Sequence, residues 1–427
     1  MKRALYLYLP FLFALVAEIS LAQVSAGSGS FLLKDGDRVV FYGDSITEQR
    51  LYTSFIEEYA LTRFPDRKIV FFNSGVGGDK VSGGWAGPID LRLTRDVFAY
   101  QPTVITIMLG MNDGYYRPYD DGIFRTYADG YRHIVDSIQQ KLPSASLYLL
   151  KPSPHDDVTR PGEFDPDYNT TMTRFGDFLA TLADEKHART ADLNATVVAA
   201  LTRAKAENAA LSTTLVQDRV HPGSGVHWLM AESVLKAWNA PAIVTAVKLD
   251  GTKATVGDAT NTAVSDIRKT KTSFSWVQKD RALPLPLPSA QADPFIAIVE
   301  KVSDLDQALN RQTLQVTGLA PGRYLLQIDD SKIGEFTAEQ FTAGVDLARL
   351  DTPMLRQALL VAFDTERKDS LEDMRFHFAQ DARTSEDRDT AKALETARTA
   401  VVEQQRRDAQ PVPHRYSLTP IAVRTTD

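Results

Sequence analysis

Serine, histidine and aspartate stand in this chain at points where an apolar run gives way to a turn. Nucleophilic acyl transfer needs those three types: a hydroxyl to attack, a base to take its proton and a carboxylate to orient the base. Ser45 lies in Phe41-Tyr42-Gly43-Asp44-Ser45-Ile46-Thr47-Glu48, directly after Arg38-Val39-Val40-Phe41-Tyr42. A serine so placed faces the carboxyl edge of a sheet, where open α/β sheets put their ligands, although a serine after a strand also serves as a helix N-cap. Asp218 and His221 are spaced i, i+3, which puts carboxylate and imidazole on one side of a turn. The carboxylate can accept from Nδ1 and leave Nε2 facing a hydroxyl. The same D-x-x-H also suits a structural cap or a metal pair, and Pro222 adds only that the loop is rigid.

Two more segments offer hydrogen-bond donors. Gly77-Gly78-Asp79 closes a glycine-rich loop whose backbone N–H groups can approach an oxyanion because no Cβ intervenes. It also reads as a plain turn. Neither G-x-G-x-x-G nor G-x-x-x-x-G-K-[ST] occurs there, which disfavours a phosphate loop. Asn112, in Gly110-Met111-Asn112-Asp113, is a turn former by type, yet its amide can donate to the same oxyanion.

The elements that must hold these residues alternate. Apolar runs at 38–42, 68–73, 103–109, 146–150 and, weakly, 190–193 read as strands; helical stripes at 52–63, 91–100, 127–142, 168–185, 195–206 and 228–238 lie between and after them. Short alternation of this kind implies a parallel sheet with helices on both faces. From residue 244 the text changes to short β runs at 245–249, 274–277, 295–299, 314–319 and 324–328, the last two predicted to form a hairpin across Ala320-Pro321-Gly322. Leu283-Pro284-Leu285-Pro286-Leu287-Pro288 reads as an extended crossover, since proline is excluded from a central strand. Past Asp351 helices return at 353–363 and 386–406. The alanine-rich stripe of the second favours packing on its own domain over a coiled-coil dimer. The expected organisation is a leader at 1–22, a first domain at 31–243, a β-rich accessory region at 244–350 and a helical region with a tail at 351–427.

Taken in order and spacing, Gly43-Asp44-Ser45-Ile46, Gly78, Gly110-Met111-Asn112-Asp113 and Asp218-Arg219-Val220-His221 resemble the four conserved blocks of the SGNH hydrolases, or GDSL esterases. Isoleucine stands where the name-giving leucine would. The resemblance covers residues 31–243 and implies a flavodoxin-like three-layer α/β/α sandwich. It also implies catalysis by Ser45, His221 and Asp218, with an oxyanion hole made by the Ser45 and Gly78 backbone N–H groups and the Asn112 side chain. No metal or organic cofactor is implied. The acyl-enzyme is released by water, or by a sugar hydroxyl in an acyltransferase. The α/β-hydrolases share the Ser, Asp, His order, but the chain has no G-x-S-x-G elbow.

Other residues are of types that can do chemistry. His227 is expected to be structural rather than a reserve base, and His155 with Asp156 and Asp157 to form a surface loop near the site rather than a metal centre. Asp44 and Asp113 are expected to organise their loops by side chain to backbone bonds. Trp85, Tyr115, Tyr116 and Tyr119 follow the second and third blocks, where they could stack on a sugar or line an acyl pocket.

Composition narrows the setting. The 427 residues, 43% of them hydrophobic, allow two or three domains with real cores, and a net charge of −7 recommends neither nucleic acid nor anionic lipid as partner. Lys2-Arg3, an apolar stretch to Ala17 and Ser20-Leu21-Ala22 form a signal-peptide pattern, with Pro10 and Glu18 keeping it short of a membrane span. Export to the periplasm or medium follows, with no stable membrane insertion after cleavage. The chain has no cysteine, so it has no disulfide, thiolate site or lipoprotein anchor. The expected activity is hydrolysis of a small acyl ester, acetyl above all, on a small molecule or polysaccharide. A lipid or thioester hydrolase and an inactive carbohydrate-binding scaffold are the alternatives.

Overall fold

A computed structural model describes residues 30–288, 293–380 and 384–421; the expected leader at 1–22 lies outside them. The first layer is a five-stranded parallel sheet of β1 (Arg38–Gly43), β2 (Val70–Gly75), β3 (Val104–Met108), β4 (Ser146–Lys151) and β5 (Arg189–Asp192) in the order β2-β1-β3-β4-β5. That is the flavodoxin-like winding, and its switch point falls where the chain leaves β1 for β2 on one side and later returns to β3 on the other. The strands are buried on both faces, which is why β1 and β3 read as unbroken apolar runs rather than alternating ones.

Helices α1 (Ser45–Glu48), α2 (Leu51–Arg63), α3 (Ile89–Asp96), α4 (Asp121–Lys141), α5 (Tyr168–Lys186), α6 (Leu193–Glu207), α7 (Ala209–Ser212) and α8 (Ser224–Ala237) complete the layer. They fall into two groups: α2 packs against α8, and α4 lies between α3 and α5. Asp120, Asp167 and Asp192 cap α4, α5 and α6 by accepting backbone N–H bonds, contacts that each stabilise a helix by about 1 kcal/mol. Residues 31–37 form a strap rather than a strand, tied to α8 by the Leu32 N–H donating to the Trp238 carbonyl.

The second region holds β6 (Ile243–Asp250), β7 (Thr255–Thr260), β8 (Thr262–Lys269), β9 (Phe274–Asp280), α9 (Pro294–Val302), α10 (Leu305–Leu309), β10 (Arg311–Thr317), β11 (Arg323–Ile328), β12 (Ser331–Thr337), α11 (Ala338–Ala343), β13 (Val345–Asp346), α12 (Pro353–Gln380), α13 (Ser385–Asp408) and β14 (Pro413–Pro420). Its strands make an antiparallel sheet, β8-β9-β14-β11-β12, and a mixed sheet, β13-β10-β6-β7. Val247, Leu249, Trp276, Leu314, Leu326 and Leu418 from the two sheets share one core.

Two expectations fail here. The runs at 314–319 and 324–328 are not a hairpin: β10 pairs with β6 and β13, whereas β11 pairs with β12 and β14. The intervening turn carries the chain from one sheet to the other, with Gly318 at φ +70° and Gly322 at φ +145°. The run at 295–299 is helix α9, because Asp293 caps it, its carboxylate accepting from the Phe295 N–H, and Pro294 occupies the first turn. A short apolar run cannot distinguish strand from buried helix by itself.

The two regions share interior. Leu285, Leu287, Ile296, Ile298, Val299 and Leu309 belong to the core beneath α6 and α8, so the proline crossover and α9 extend the parallel layer's core. Helices α12 and α13 pair as a hairpin whose first member lies along α2. There Lys368 Nζ meets Glu57 at 2.5 Å, with the two side chains 3% and 5% exposed. Among the described residues no helix is long and apolar enough to cross a membrane.

Candidate active site

Everything singled out as chemistry lies at the carboxyl edge of the parallel sheet. β1 ends at Gly43, where a Cβ would lie 2.2 Å from Thr47 Oγ1 and 2.8 Å from the Met108 carbonyl oxygen. Only glycine allows the chain to turn so close to β3. Asp44, not Ser45, is the N-cap of α1: its Oδ1 accepts from the Ile46 N–H at 3.0 Å. Ser45 is thereby left with its hydroxyl free of capping duty.

That hydroxyl lies 2.8 Å from His221 Nε2, and His221 Nδ1 lies 2.7 Å from Asp218 Oδ2. With the Nδ1 proton donated to Asp218, Nε2 is an acceptor for the serine O–H. The second oxygen of Asp218 accepts from the backbone N–H groups of Val220 and His221, at 3.0 and 2.7 Å. Partial burial pushes the Asp218 carboxyl up, but the hydrogen bonds from the His221 ring and from those two amides outweigh it and lower it to about 2. The carboxylate is therefore ionised across the neutral range. Arg219 takes φ +68° to make this tight turn, and its guanidinium reaches Asp157 Oδ1 at 3.2 Å and the Asp156 carbonyl at 3.1 Å.

This alters the reading of the 155–157 segment. His155 and Asp156 are buried, not on a surface loop. Asp157 accepts from the His155 ring at 2.9 Å and from Arg219, so the segment clamps the turn that carries Asp218 and His221. His227, six residues past His221, is fully buried: Nδ1 accepts from the Tyr52 N–H and Nε2 donates to Gln49 Oε1. Burial, with the nearby His221, lowers it to about 3, so it stays neutral.

Three donors are expected to form the oxyanion hole. The backbone N–H groups of Ser45 and Gly78 have no partner among the described residues, and Gly78 sits at φ +76° with open space where a Cβ would be. Asn112 Nδ2 donates one proton to the Asp79 carbonyl at 3.1 Å, while its Oδ1 accepts from the Tyr116 hydroxyl at 2.9 Å. The amide cannot flip without losing both bonds, and its second N–H proton has no partner among the described residues.

Beneath this loop lies a set of buried charges. Arg92, fully buried, donates to Asp79 at 2.8 Å, to Asp96 and to the Ser74 carbonyl at 2.9 Å. Asp113 Oδ1 accepts from the Val81 N–H at 3.0 Å and so ties the end of β3 to the glycine loop. Burial, with neighbouring carboxylates adding to it, raises both Asp44 and Asp113 to about 7. Arg92 went unnoticed in the sequence, since a lone arginine on a helix reads as surface; only its place on the buried face of α3 would have marked it. Of the aromatic leads, Trp85 and Tyr115 are 66% and 57% exposed at the rim. Trp85 is anchored by its Nε1 donating to the Gly77 carbonyl at 2.9 Å. Tyr119 instead lies under Arg174, 4.0 Å from its ring centroid.

A doubly wound sheet with a serine, an imidazole and a carboxylate in hydrogen-bonded series at its carboxyl edge is the architecture of a serine hydrolase. Residues 41–229 match the model of the GDSL-like lipase/acylhydrolase family. Residues 41–229 thus carry a domain of that family, and the likenesses support the SGNH hydrolase expectation and ester-bond hydrolysis. It is 25% identical over 225 residues to an acetylxylan esterase of Geobacillus stearothermophilus, covering 47% of this chain and 93% of that one. Among solved structures, a gut microbial diltiazem-metabolizing enzyme superposes with a TM-score of 0.82 at 27% identity, over 92% of this chain and 99% of its own. The β-rich and helical C-terminal region is thus common to both. The crystal structure of the Geobacillus esterase aligns over 49% of this chain and 96% of its own, at 22% identity and a TM-score of 0.40.

Proposed function

We propose that this protein is an exported serine esterase that removes small acyl groups, acetyl above all, from a carbohydrate. The observation that carries the reading is the unbroken series Asp218, His221, Ser45, with links of 2.7 and 2.8 Å. His221 takes the Ser45 proton as the hydroxyl attacks the ester carbonyl, and ionised Asp218 holds the tautomer and steadies the imidazolium. The Ser45 and Gly78 N–H groups and Asn112 Nδ2 receive the oxyanion. His221 then gives its proton to the leaving alcohol. Water, deprotonated by the same ring, attacks the acyl-enzyme and frees Ser45.

The acetyl preference is supported by the likeness to an acetylxylan esterase, and the carbohydrate by the exposed Trp85 and Tyr115 beside the oxyanion donors. Export rests on the pattern of residues 1–22. A fluorophosphonate probe should label the pure protein and fail to label Ser45→Ala; equal labelling of both removes the nucleophile assignment. Across 4-nitrophenyl esters, kcat/KM should be highest for acetate and fall with chain length. A maximum at octanoate or longer would make the enzyme a lipid esterase instead.

A further inference from the structure

The turn that follows β3 folds back on itself. Its Tyr115 N–H donates to the Asn112 carbonyl at 3.3 Å, and Tyr115 and Tyr116 both take left-handed backbone, at φ +56° and +52°. Two successive aromatic residues are held there against their own preference, a cost that persists only where the surroundings fix it and that gathers at functional sites. What the turn gains is a reach backward: the Tyr116 hydroxyl donates to Asn112 Oδ1 at 2.9 Å. The Tyr116 side chain is 44% exposed. A hydroxyl that water could have satisfied is committed to one side chain instead.

Tyr116 also lies between the two halves of the site. On one side is Asn112, whose Nδ2 donates to the Asp79 carbonyl at 3.1 Å. That carbonyl belongs to the glycine loop, and a Cβ placed on Gly77 in the same loop would lie 3.9 Å from Ser45 Cβ. On the other side the Tyr116 ring stands 5.2 Å from that of Tyr168 and 6.5 Å from that of His155. Tyr168 donates to the Met111 carbonyl at 2.7 Å, and His155 holds Asp157, the residue that grips Arg219 in the turn of Asp218 and His221. Burial, and after it the Asp44 and Asp218 carboxylates, push the Tyr116 phenol up to about 12, so it keeps the proton that it donates.

An asparagine amide bound only through Nδ2 can swing about its last torsion while keeping that bond; bound at Oδ1 as well, it is fixed in its plane. A donor to Oδ1 also polarises the amide and makes its remaining N–H the stronger donor. We propose that Tyr116 is a positioning residue for the ester reaction, its hydroxyl holding the Asn112 amide so that the free Nδ2 proton meets the oxyanion of the tetrahedral intermediate. The inference rests on the oxyanion role proposed for Asn112 and goes beyond it by assigning the residue that keeps that role in place. It requires no contact between Tyr116 and the substrate.

Tyr116→Phe keeps the ring on Tyr168 and His155 and removes only the hydroxyl. With 4-nitrophenyl acetate, kcat and kcat/KM should fall together by about five- to tenfold, the size of one lost hydrogen bond acting in the transition state. In an Asn112→Ala background, already slow, the same change should matter by less than about twofold, because no amide is left to hold. Wild-type rates in Tyr116→Phe overturn the proposal, as does a rise in KM with kcat kept. An equal loss in both backgrounds also overturns it, since the hydroxyl would then act on the substrate or on the turn as a whole. Should Tyr116→Phe lower Tm, the comparison of backgrounds still decides, because a loosened turn slows both alike. If Asn112→Ala is as fast as wild type, the oxyanion role fails and the proposal with it; if Asn112→Ala is slow and Tyr116→Phe is not, the positioning role alone fails.

Discussion

In the parallel sheet, Arg38–Gly43 finds its neighbours in Val70–Gly75 and Val104–Met108, each one βα unit or two away. In the antiparallel sheet, Phe274–Asp280 pairs on one side with Thr262–Lys269 and on the other with Pro413–Pro420, reached only after four further strands and five helices. The first region is assembled from local units that repeat one motif, and its working residues sit where each strand stops. The second is assembled from distant pairings, and its contribution to the first is made through helices: α9 in the core, α12 against α2. The difference teaches that the candidate catalytic residues belong to the local region while the core that supports them is drawn from both.

The largest expected effect tests whether these regions are one cooperative body. Lys368 is held between Glu57, Asp369 and Glu372 at the α2–α12 contact. Lys368→Met leaves Glu57 buried with no cation beside it, so stability should fall by about 3–5 kcal/mol. Urea denaturation should show one transition moved as a whole; two transitions, with only one moved, would mean that the regions unfold independently.

A second change acts within the local region alone. Asn112→Ala removes one oxyanion donor and should lower kcat by about 10²–10³, with Tm nearly unchanged. A large fall in Tm together with the loss of rate would mean that the amide holds the glycine loop through Asp79 more than it serves the reaction.

The smallest effect depends on pH. Asp113 is raised by burial to about 7, so between the ordinary carboxylate range and pH 7 the native state binds a proton that the unfolded chain has released. Stability from this group is present at low pH and lost as pH rises through 7. Asp113→Asn removes that loss, and its unfolding free energy relative to wild type, from urea denaturation, should be higher at pH 8 than at pH 5 by about 2–3 kcal/mol. A difference that does not change with pH would place the titration elsewhere, Asp44 being next to examine.

The same contrast explains what could be read in advance. Ser45, Gly78 and Asn112 follow strands β1, β2 and β3, each marked by an apolar run that ends in glycine or a polar turn, so their convergence on one edge was visible from spacing. Asp218 and His221 were visible as a pair because three residues span one turn. Tyr116 was noted as a rim aromatic, but its bond to Asn112 Oδ1 depends on a φ of +52° that no local pattern announces. Arg92 and Glu58 were invisible for a common reason: a charged residue on a helix is ordinarily solvated, and only the packed neighbours reveal that these two are not. In the second region the turn at Ala320-Pro321-Gly322 looked like a hairpin because sequence shows a reversal of direction and not a change of sheet.

Strand β14, Pro413–Pro420, lies in the middle of its sheet, between β9 and β11. As the chain emerges from N- to C-terminus, every other strand of that sheet is available first, so β9 and β11 face each other across a gap with unpaired backbone edges until residue 420 is out. The parallel sheet, its five strands complete by Asp192, has no such wait. A chain that has emerged only to about residue 410 would carry a complete parallel sheet beside an open one, and it is at that stage that the protein is most exposed to joining a second copy of itself edge to edge.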